Sequence, residues 1–274
     1  MTPSGLVVFT DLDGTLLDEK TYSYKASQPA IEKLKRLAVP VILCSSKTYA
    51  EMLPLWKELA LKAPFIVENG GAIYSPVGYF PFALPGFKTR GSFNVLELGV
   101  DVRLLRQALA EAAERSHAAV RPFSAMSIEE VSALTDLTKD QARLALKRKY
   151  DEPFVLEQGD QEMLFRSLTD QGLTVTQGGR FFHLIGRHEK GKAVKILLDL
   201  YRRKDSGVIS VGLGDSGNDL PLLLQVDRPV LVKKSNGSYD PQVLRRMPCI
   251  EQTSAIGPVG WREAIDEILK ATTA

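Results

Sequence analysis

Leu6-Val7-Val8-Phe9-Thr10-Asp11-Leu12-Asp13-Gly14-Thr15-Leu16-Leu17 is the stretch whose reading decides the fold. Its four leading apolar residues, Leu6 to Phe9, read as a buried strand, as in a parallel sheet covered by helices. The run ends in two acids one residue apart. Like charges at the end of a buried strand repel unless something cationic neutralises them. The economical neutraliser is a metal ion, Mg²⁺ above all, with one carboxylate turned toward a substrate phosphate. In an extended segment the D-x-D spacing puts both side chains on one face. One acid is then free to act as nucleophile or ligand, the other as acid/base. An ordinary strand-to-turn junction uses the same letters, because Asp and Gly favour turns. The rest of the chain decides between the two readings.

Outward from this stretch, strand and helix signals alternate. Leu6–Phe9 and Val39–Cys44 read as strands, and Phe65–Val67 as a third, with helices over Gln28–Leu37 and Ala50–Leu61 between them. The alternation resumes late in the chain. A helix over Lys192–Tyr201 is followed by a strand at Gly207–Leu213 and a short helix at Asp219–Leu224. A strand at Pro229–Val232 and a closing helix at Trp261–Ala271 complete it. Apolar strands separated by helices predict α/β architecture, a doubly wound parallel sheet of Rossmann-like type. The middle differs. Capping boxes at Ser127…Glu130 and Thr138…Gln141 open two helices. The charged run Lys139–Tyr150 reads as a solvated helix face. Pro153–Glu157, Leu173–Gln177 and Arg180–Ile185 read as strands, the last two joined in a hairpin across Gly178-Gly179. This predicts an α+β cap domain, residues 84–187, inserted into a core formed by 1–83 and 188–274.

Bulk properties bound the function. The chain has 274 residues, 44% apolar and 25% charged, which is globular composition. A net charge of +2 gives no reason to expect a nucleic-acid partner. Two cysteines, Cys44 and Cys249, make no disulfide framework. No secretory leader is visible, and no run approaches the roughly 18 apolar residues of a membrane span. A cytoplasmic enzyme without membrane partners is the expectation.

Ligands of doubly wound sheets sit at the carboxyl ends of the strands. Four polar clusters fall there: Asp11-Leu12-Asp13, Ser45-Ser46-Lys47-Thr48, Lys190-Gly191-Lys192, and Gly214-Asp215-Ser216-Gly217-Asn218-Asp219. Each suits one part of a phosphoryl-transfer site. Asp11 can attack phosphorus and Asp13 can move the protons. Ser45, with backbone N–H groups at a helix start, can hold phosphate oxygens. Lys190 can stabilise developing charge. Asp215 joins Asp11 and the Asp13 carbonyl in an oxygen-rich Mg²⁺ site. Singly, Ser45-Ser46 is a helix N-cap and Lys190 a surface lysine; together and in this order the four clusters describe one site.

That order, D-x-D-G-T-L, Ser, Lys-Gly-Lys, G-D-S-x-N-D, resembles the haloacid dehalogenase (HAD) superfamily of phosphatases. Further stretches resemble its mannosyl-3-phosphoglycerate phosphatase family: Cys44–Thr48, Pro64–Ile73, Gly78–Phe82, Arg180–His183 and Lys190–Ala193. The resemblance spans nearly the whole chain. It implies a HAD core with a cap inserted after the third core strand, Asp11 as nucleophile, Asp13 as acid/base, and Lys190 as charge stabiliser. It implies Ser45 and Ser46 as phosphate ligands, and Mg²⁺ held by Asp11, Asp13 and Asp215 with Asn218 and Asp219 supporting. The implied substrate is a small phosphorylated sugar-glycerate, hydrolysed to the glycosylglycerate, a compatible solute. Arg180 and Lys47 are the candidates for its carboxylate, Arg for its bidentate fork. The family commonly carries Arg where this chain has Tyr49, and Tyr-Ser-Glu where it has Tyr150-Asp151-Glu152. Mannosyl and glucosyl substrates, a broader sugar-phosphate phosphatase, a phosphomutase and a catalytically silent binding protein stay open at this level.

Overall fold

A computed structural model describes residues 5–178 and 181–273. In the first lobe β1 (Leu6–Thr10) leads through α1 (Gln28–Arg36), β2 (Val41–Leu43) and α2 (Tyr49–Glu58) to β3 (Phe65–Val67). Then come β4 (Ala72–Pro76), β5 (Lys88–Arg90), β6 (Phe93–Glu97), α3 (Val102–Arg115) and β7 (Ala119–Pro122). The middle continues with α4 (Ile128–Thr135), α5 (Lys139–Ala145), β8 (Asp151–Gln158), α6 (Gln161–Asp170), β9 (Thr174–Gly178) and β10 (Phe181–Ile185). The last part holds α7 (Lys190–Lys204), β11 (Ile209–Gly214), α8 (Leu220–Leu223), β12 (Arg228–Lys233), α9 (Pro241–Arg246), β13 (Glu251–Ile256) and α10 (Gly257–Thr273).

The core is a five-stranded sheet in the order β13-β12-β11-β1-β2, and every paired neighbour is parallel. Strand alternation sorts its residues to two faces. Val8, Val41, Leu43, Val211 and Leu213 pack with Ile31 and Leu34 of α1 and with Trp261 and Ile265 of α10. Val7, Phe9, Ile42 and Leu231 pack with Val194, Leu197 and Tyr201 of α7. Both faces are therefore dry, which is why these strands read as continuous apolar runs. The chain leaves β1 toward β2 on one side and returns to β11 on the other. This reversal opens the crevice at the carboxyl ends of β1 and β11.

Two four-stranded antiparallel sheets complete the α/β molecule, in the orders β3-β4-β6-β5 and β7-β8-β10-β9. The expected third core strand, β3, pairs antiparallel with β4 and makes one parallel bridge to the residue after β2, Cys44 to Ile66. Its three residues end in Glu68 and Asn69, both at positive φ, so the ladder cannot run on. The sheet formed by β7–β10 is the cap sheet. Its strand β10 alternates cleanly: Phe182 and Leu184 join Phe154, Leu105 and Leu164 in a core under α3 and α6. Phe181, His183 and Ile185 therefore face the other way.

Local signals held where they were chemical. Both capping boxes form, at Ser127/Glu130 and Thr138/Gln141, and the hairpin pairs β9 with β10. The run Lys139–Tyr150 is the clear correction. Helix α5 stops at Ala145, Tyr150 is buried, and the Arg148 side chain is only 8% exposed. The expected solvated face ends short of Arg148, which is drawn inside by the buried Asp151 carboxylate, a partner no helical pattern reveals. The strand Glu251–Ile256 and the helices Val102–Arg115 and Gln161–Asp170 add elements beyond those expected.

Candidate active site

The crevice is built from loops that start where the parallel ladders stop. The Asp11 N–H still reaches Leu213 O, and Cys44 N–H reaches Thr10 O, so both chains are held in register to the last strand residue. Beneath them Trp261 Nε1 donates to Thr10 Oγ1, and that hydroxyl donates to Asp11 O. Gly14 follows at φ +79, where a Cβ would lie 3.1 Å from Asp215 Oδ2. The turn needs glycine both for that backbone region and for that approach.

Lys190 is not a surface lysine. It is 2% exposed, and its Nζ lies 2.7 Å from Asp11 Oδ1 and 2.6 Å from Asp219 Oδ1. It sits in the first turn of α7, two residues earlier than the helix expected from apolar periodicity. Burial opposes a charged lysine, yet Asp11 and Asp219 hold its ammonium well above the ordinary range. The other oxygen of Asp219 accepts from the N–H groups of Asp215 and Ser216 and from Ser216 Oγ. Asp219 is thus saturated with donors. Among the described residues Asp215 accepts only from the Thr15 hydroxyl, at 3.2 Å.

Carboxylates outnumber the lysine here. Burial, then repulsion from Asp219, raises the Asp11 carboxyl well above the usual range; the same two causes push Asp215 up to about 7. Oxygens of Asp11, Asp215 and Asp219 lie within 4.8 Å of one another. One enclosed Asp13 oxygen, Oδ1, has no hydrogen-bond partner. Excess buried negative charge among all-oxygen donors is the environment a hard divalent cation requires, so the residues present fit such an ion.

On the other side of β1, Lys47 Nζ lies 2.8 Å from Asp13 Oδ2 and over the Tyr22 ring. Ser45 is buried, and its Oγ accepts the Lys47 N–H. The cap of α2 is Thr48, paired with Glu51 in a capping box, which leaves Ser45 and Ser46 in the turn above it. Asn218 Nδ2 donates to Asn69 Oδ1 across the crevice. Tyr49, in place of the family's arginine, stacks on Tyr74 and Phe65 and lies outside the cleft lining. Arg180 lies outside the described residues.

Four residues of the site were assigned no chemical role in the sequence reading. Asn69 and Glu68 occupy a left-handed turn, and a Cβ at the next residue, Gly70, would strike the Glu189 carbonyl before Lys190. Glu68 is buried, accepts the N–H groups of Lys149 and Tyr150, and fastens the entry to β8 onto the core. Burial pushes its carboxyl up to about 7. Arg148 donates to Ser46 O and to Asp151 Oδ2. His183 is the fourth; its Nδ1 lies 2.9 Å from the same Asp151 oxygen. Glu68, Asn69 and His183 lie in stretches that carried the family resemblance; Arg148 carried no signal.

Two adjoining cavities of about 880 and 490 Å³ meet over these residues, sharing Asp13, Ser46, Asn69, Thr176, Gln177 and Asn218. The larger holds Asp11, Lys190 and Asp215; the smaller runs under the cap past Phe123, Arg148, Phe181 and His183.

Residues 8–79 match the family described as haloacid dehalogenase-like hydrolase. The chain is 40% identical over 265 residues to the glucosyl-3-phosphoglycerate/mannosyl-3-phosphoglycerate phosphatase of Methanococcoides burtonii, covering 96% of this chain and 97% of that one. It is 42% identical over 226 residues to the mannosyl-3-phosphoglycerate phosphatase of Pyrococcus furiosus, covering 82% and 90%. Among solved structures, the sucrose-phosphatase of Synechocystis aligns with a TM-score of 0.60 at 18% identity, covering 96% and 97%. A Thermoplasma acidophilum protein aligns at 0.66 and 18%, covering 97% of each chain. At such identities the structural likeness is one of fold.

Proposed function

We infer that this chain, which belongs to the glucosyl-3-phosphoglycerate/mannosyl-3-phosphoglycerate phosphatases of the haloacid dehalogenase-like hydrolases, removes phosphate from glycosyl-3-phosphoglycerates. It is a phosphoric monoester hydrolase acting on a small phosphorylated sugar derivative. The observation that carries the reading is Lys190, buried between Asp11 and Asp219 at the carboxyl ends of the parallel strands, with Asp215 beside them. A fold alone never sets chemistry; this constellation is what supports the reading.

An oxygen of Asp11 attacks phosphorus in line with the ester oxygen. The P–O(ester) bond breaks as the Asp11–phosphorus bond forms, and Asp13 delivers a proton to the departing alcohol oxygen. Asp13 then takes a proton from water, whose oxygen attacks phosphorus and expels Asp11. Inorganic phosphate leaves and both carboxylates return to their starting states. Lys190 holds Asp11 in place through both steps and offsets charge on the phosphoryl oxygens. Asp219, saturated by its donors, fixes Lys190; Lys47 fixes Asp13. Ser46 and Asn218 line the cleft at the phosphoryl position, while Ser45 is buried and holds the Lys47 N–H of the same turn. A Mg²⁺ ion, held by Asp11, Asp215 and the Asp13 carbonyl with Asp219 behind, supplies Lewis-acid charge neutralisation when bound. The cap expected over residues 84–187 covers the site with the sheet β7–β10 and its helices and excludes water, while β5 and β6 of that span join the β3-β4 sheet instead.

Phosphate release with Mg²⁺ is the test, run on mannosyl- and glucosyl-3-phosphoglycerate against simple hexose phosphates. A preference in kcat/KM well above tenfold, about 1.4 kcal/mol, is expected. Equal rates on hexose phosphates would assign a general sugar phosphatase, and transfer of the phosphoryl group to a second sugar hydroxyl a mutase.

A further inference from the structure

His183 takes no part in the steps above, yet its placement is specific. On β10 its backbone stands opposite Pro153 of β8 and Thr176 of β9, and all three line the smaller cavity. Period-two alternation puts them on the face of the cap sheet that looks at the core. Nδ1 lies 2.9 Å from Asp151 Oδ2, and that carboxylate is wholly buried. A carboxylate accepts only, so Nδ1 carries the proton and Nε2 is the ring atom left for a ligand. Among the described residues nothing in the protein holds Nε2.

Asp151 is itself fixed from the other side by Arg148 at 2.9 Å, and Arg148 Nη1 also donates to Ser46 O in the turn beside Asp13. The Arg148 side chain is nine-tenths buried, lines the same cavity, and among the described residues its Nε has no hydrogen-bond partner. The chain of contacts His183–Asp151–Arg148–Ser46 therefore links the cap wall to the phosphoryl turn and fixes the angle of the imidazole ring.

The cavity's chemistry narrows the ligand group. Its cations among the described residues, Lys47 and Arg148, are each already paired, with Asp13 and Asp151. Glu19 and Glu51 add negative charge to the lining. Among the described residues a carboxylate finds no unpaired positive charge there. A hydroxyl-rich ring finds acceptors and donors at its edge, and the Phe123–Phe181 pair, 4.8 Å between centroids, offers apolar surface to its C–H face.

We propose that His183 is a specificity-determining residue whose Nε2 hydrogen-bonds a hydroxyl of the substrate's glycosyl group, with Asp151 and Arg148 as its positioning residues. This deepens the proposed function and rests on it.

The test separates the organic part of the ligand from its phosphate. In the Mg²⁺-loaded enzyme, inhibition constants are measured for glycosylglycerate, 3-phosphoglycerate and inorganic phosphate. H183A should weaken glycosylglycerate about tenfold, and raise KM for the glycosylated substrate similarly, while the other two constants stay within about twofold. H183Q, whose amide can reach the Nε2 position, should recover part of the loss. D151N should give about threefold in the same pattern, and reports the same contact if H183A folds poorly. An unchanged glycosylglycerate constant, or equal weakening of all three ligands, overturns the role given to His183. Failure of the wild-type enzyme to release phosphate from either glycosyl-3-phosphoglycerate overturns the functional reading beneath it, before any variant is made.

Discussion

The phosphoryl end of the cleft and its cap end are built on opposite plans. At the first, Asp11, Asp13, Asp215 and Asp219 come from two short segments ending adjacent parallel strands, β1 and β11. The fold places them by backbone register alone, and it buries more negative charge than Lys190 offsets. At the second, His183, Asp151, Arg148 and Phe123 come from different elements of the cap, and their charges are locally balanced. One end stores electrostatic stress that a cation relieves. The other is a quiet cavity that sorts ligands by hydrogen bonding and shape. Substitutions should therefore alter rate at the first end and selectivity at the second.

The largest expected effect is D11N. Losing the nucleophile should cut kcat on the order of 10,000-fold or more with the inhibition constant for glycosylglycerate little changed, read by phosphate release and competitive inhibition. If the organic ligand weakened in step, the two ends would not be separable. K190M comes next. It leaves Asp11 and Asp219 facing each other in a buried site, so unfolding free energy should drop by about 3 kcal/mol and kcat by about 1,000-fold. Urea denaturation and steady-state rates measure the two losses independently.

Glu68 joins the two ends and supplies a pH signature. Burial raises its folded-state pKa from the ordinary 4.5 to about 7. Between those values the native state binds the proton more tightly than the unfolded chain, so stability falls as pH rises through that window and is level above it. The loss approaches about 3 kcal/mol, since each tenfold difference in proton affinity between the two states is worth about 1.36 kcal/mol. E68Q should flatten it, and urea curves of both proteins from about pH 4.5 to 8 in saturating Mg²⁺ measure the difference. Parallel curves would mean that the two N–H donors from Lys149 and Tyr150 fully offset the burial.

The smallest effect concerns the cation. Asp11 and Asp215 must lose protons to hold it, and burial holds them protonated toward higher pH. Mg²⁺ at about a hundred times its dissociation constant should add about 2.7 kcal/mol of stability. At fixed metal concentration the gain should be greater at about pH 8 than at about pH 5.5, seen as a larger rise in melting temperature over an EDTA control. A gain independent of pH, or one kept in D215N, would place the ion elsewhere.

How much of this was legible in the sequence follows from the same contrast. Asp11, Asp13, Lys190, Asp215 and Asp219 were readable because each lies within a few residues of a strand end or helix start. There, local composition alone reports position. β3 formed where expected, but its antiparallel partner β4 was not read, because three apolar residues look the same in a parallel or an antiparallel ladder. Arg148 misled more instructively. Within Lys139–Tyr150 it is one charge among many, and only the buried Asp151 carboxylate draws it inside. His183 lies on a strand whose alternation was visible but whose two faces were not distinguishable.

The sequence by itself determined the doubly wound core, the capping of its middle helices and the acid-rich end of β1. These follow from periodicity, turn chemistry and the cost of burying like charges, all of which act over short stretches of chain. The tertiary structure alone decided that Lys190 is shared between two carboxylates, that Glu68 fastens the cap to the core, and which face of β10 looks toward the cleft. Those outcomes depend on pairs as much as 179 residues apart, as with Lys190 and Asp11, and long-range pairing leaves no period in the sequence.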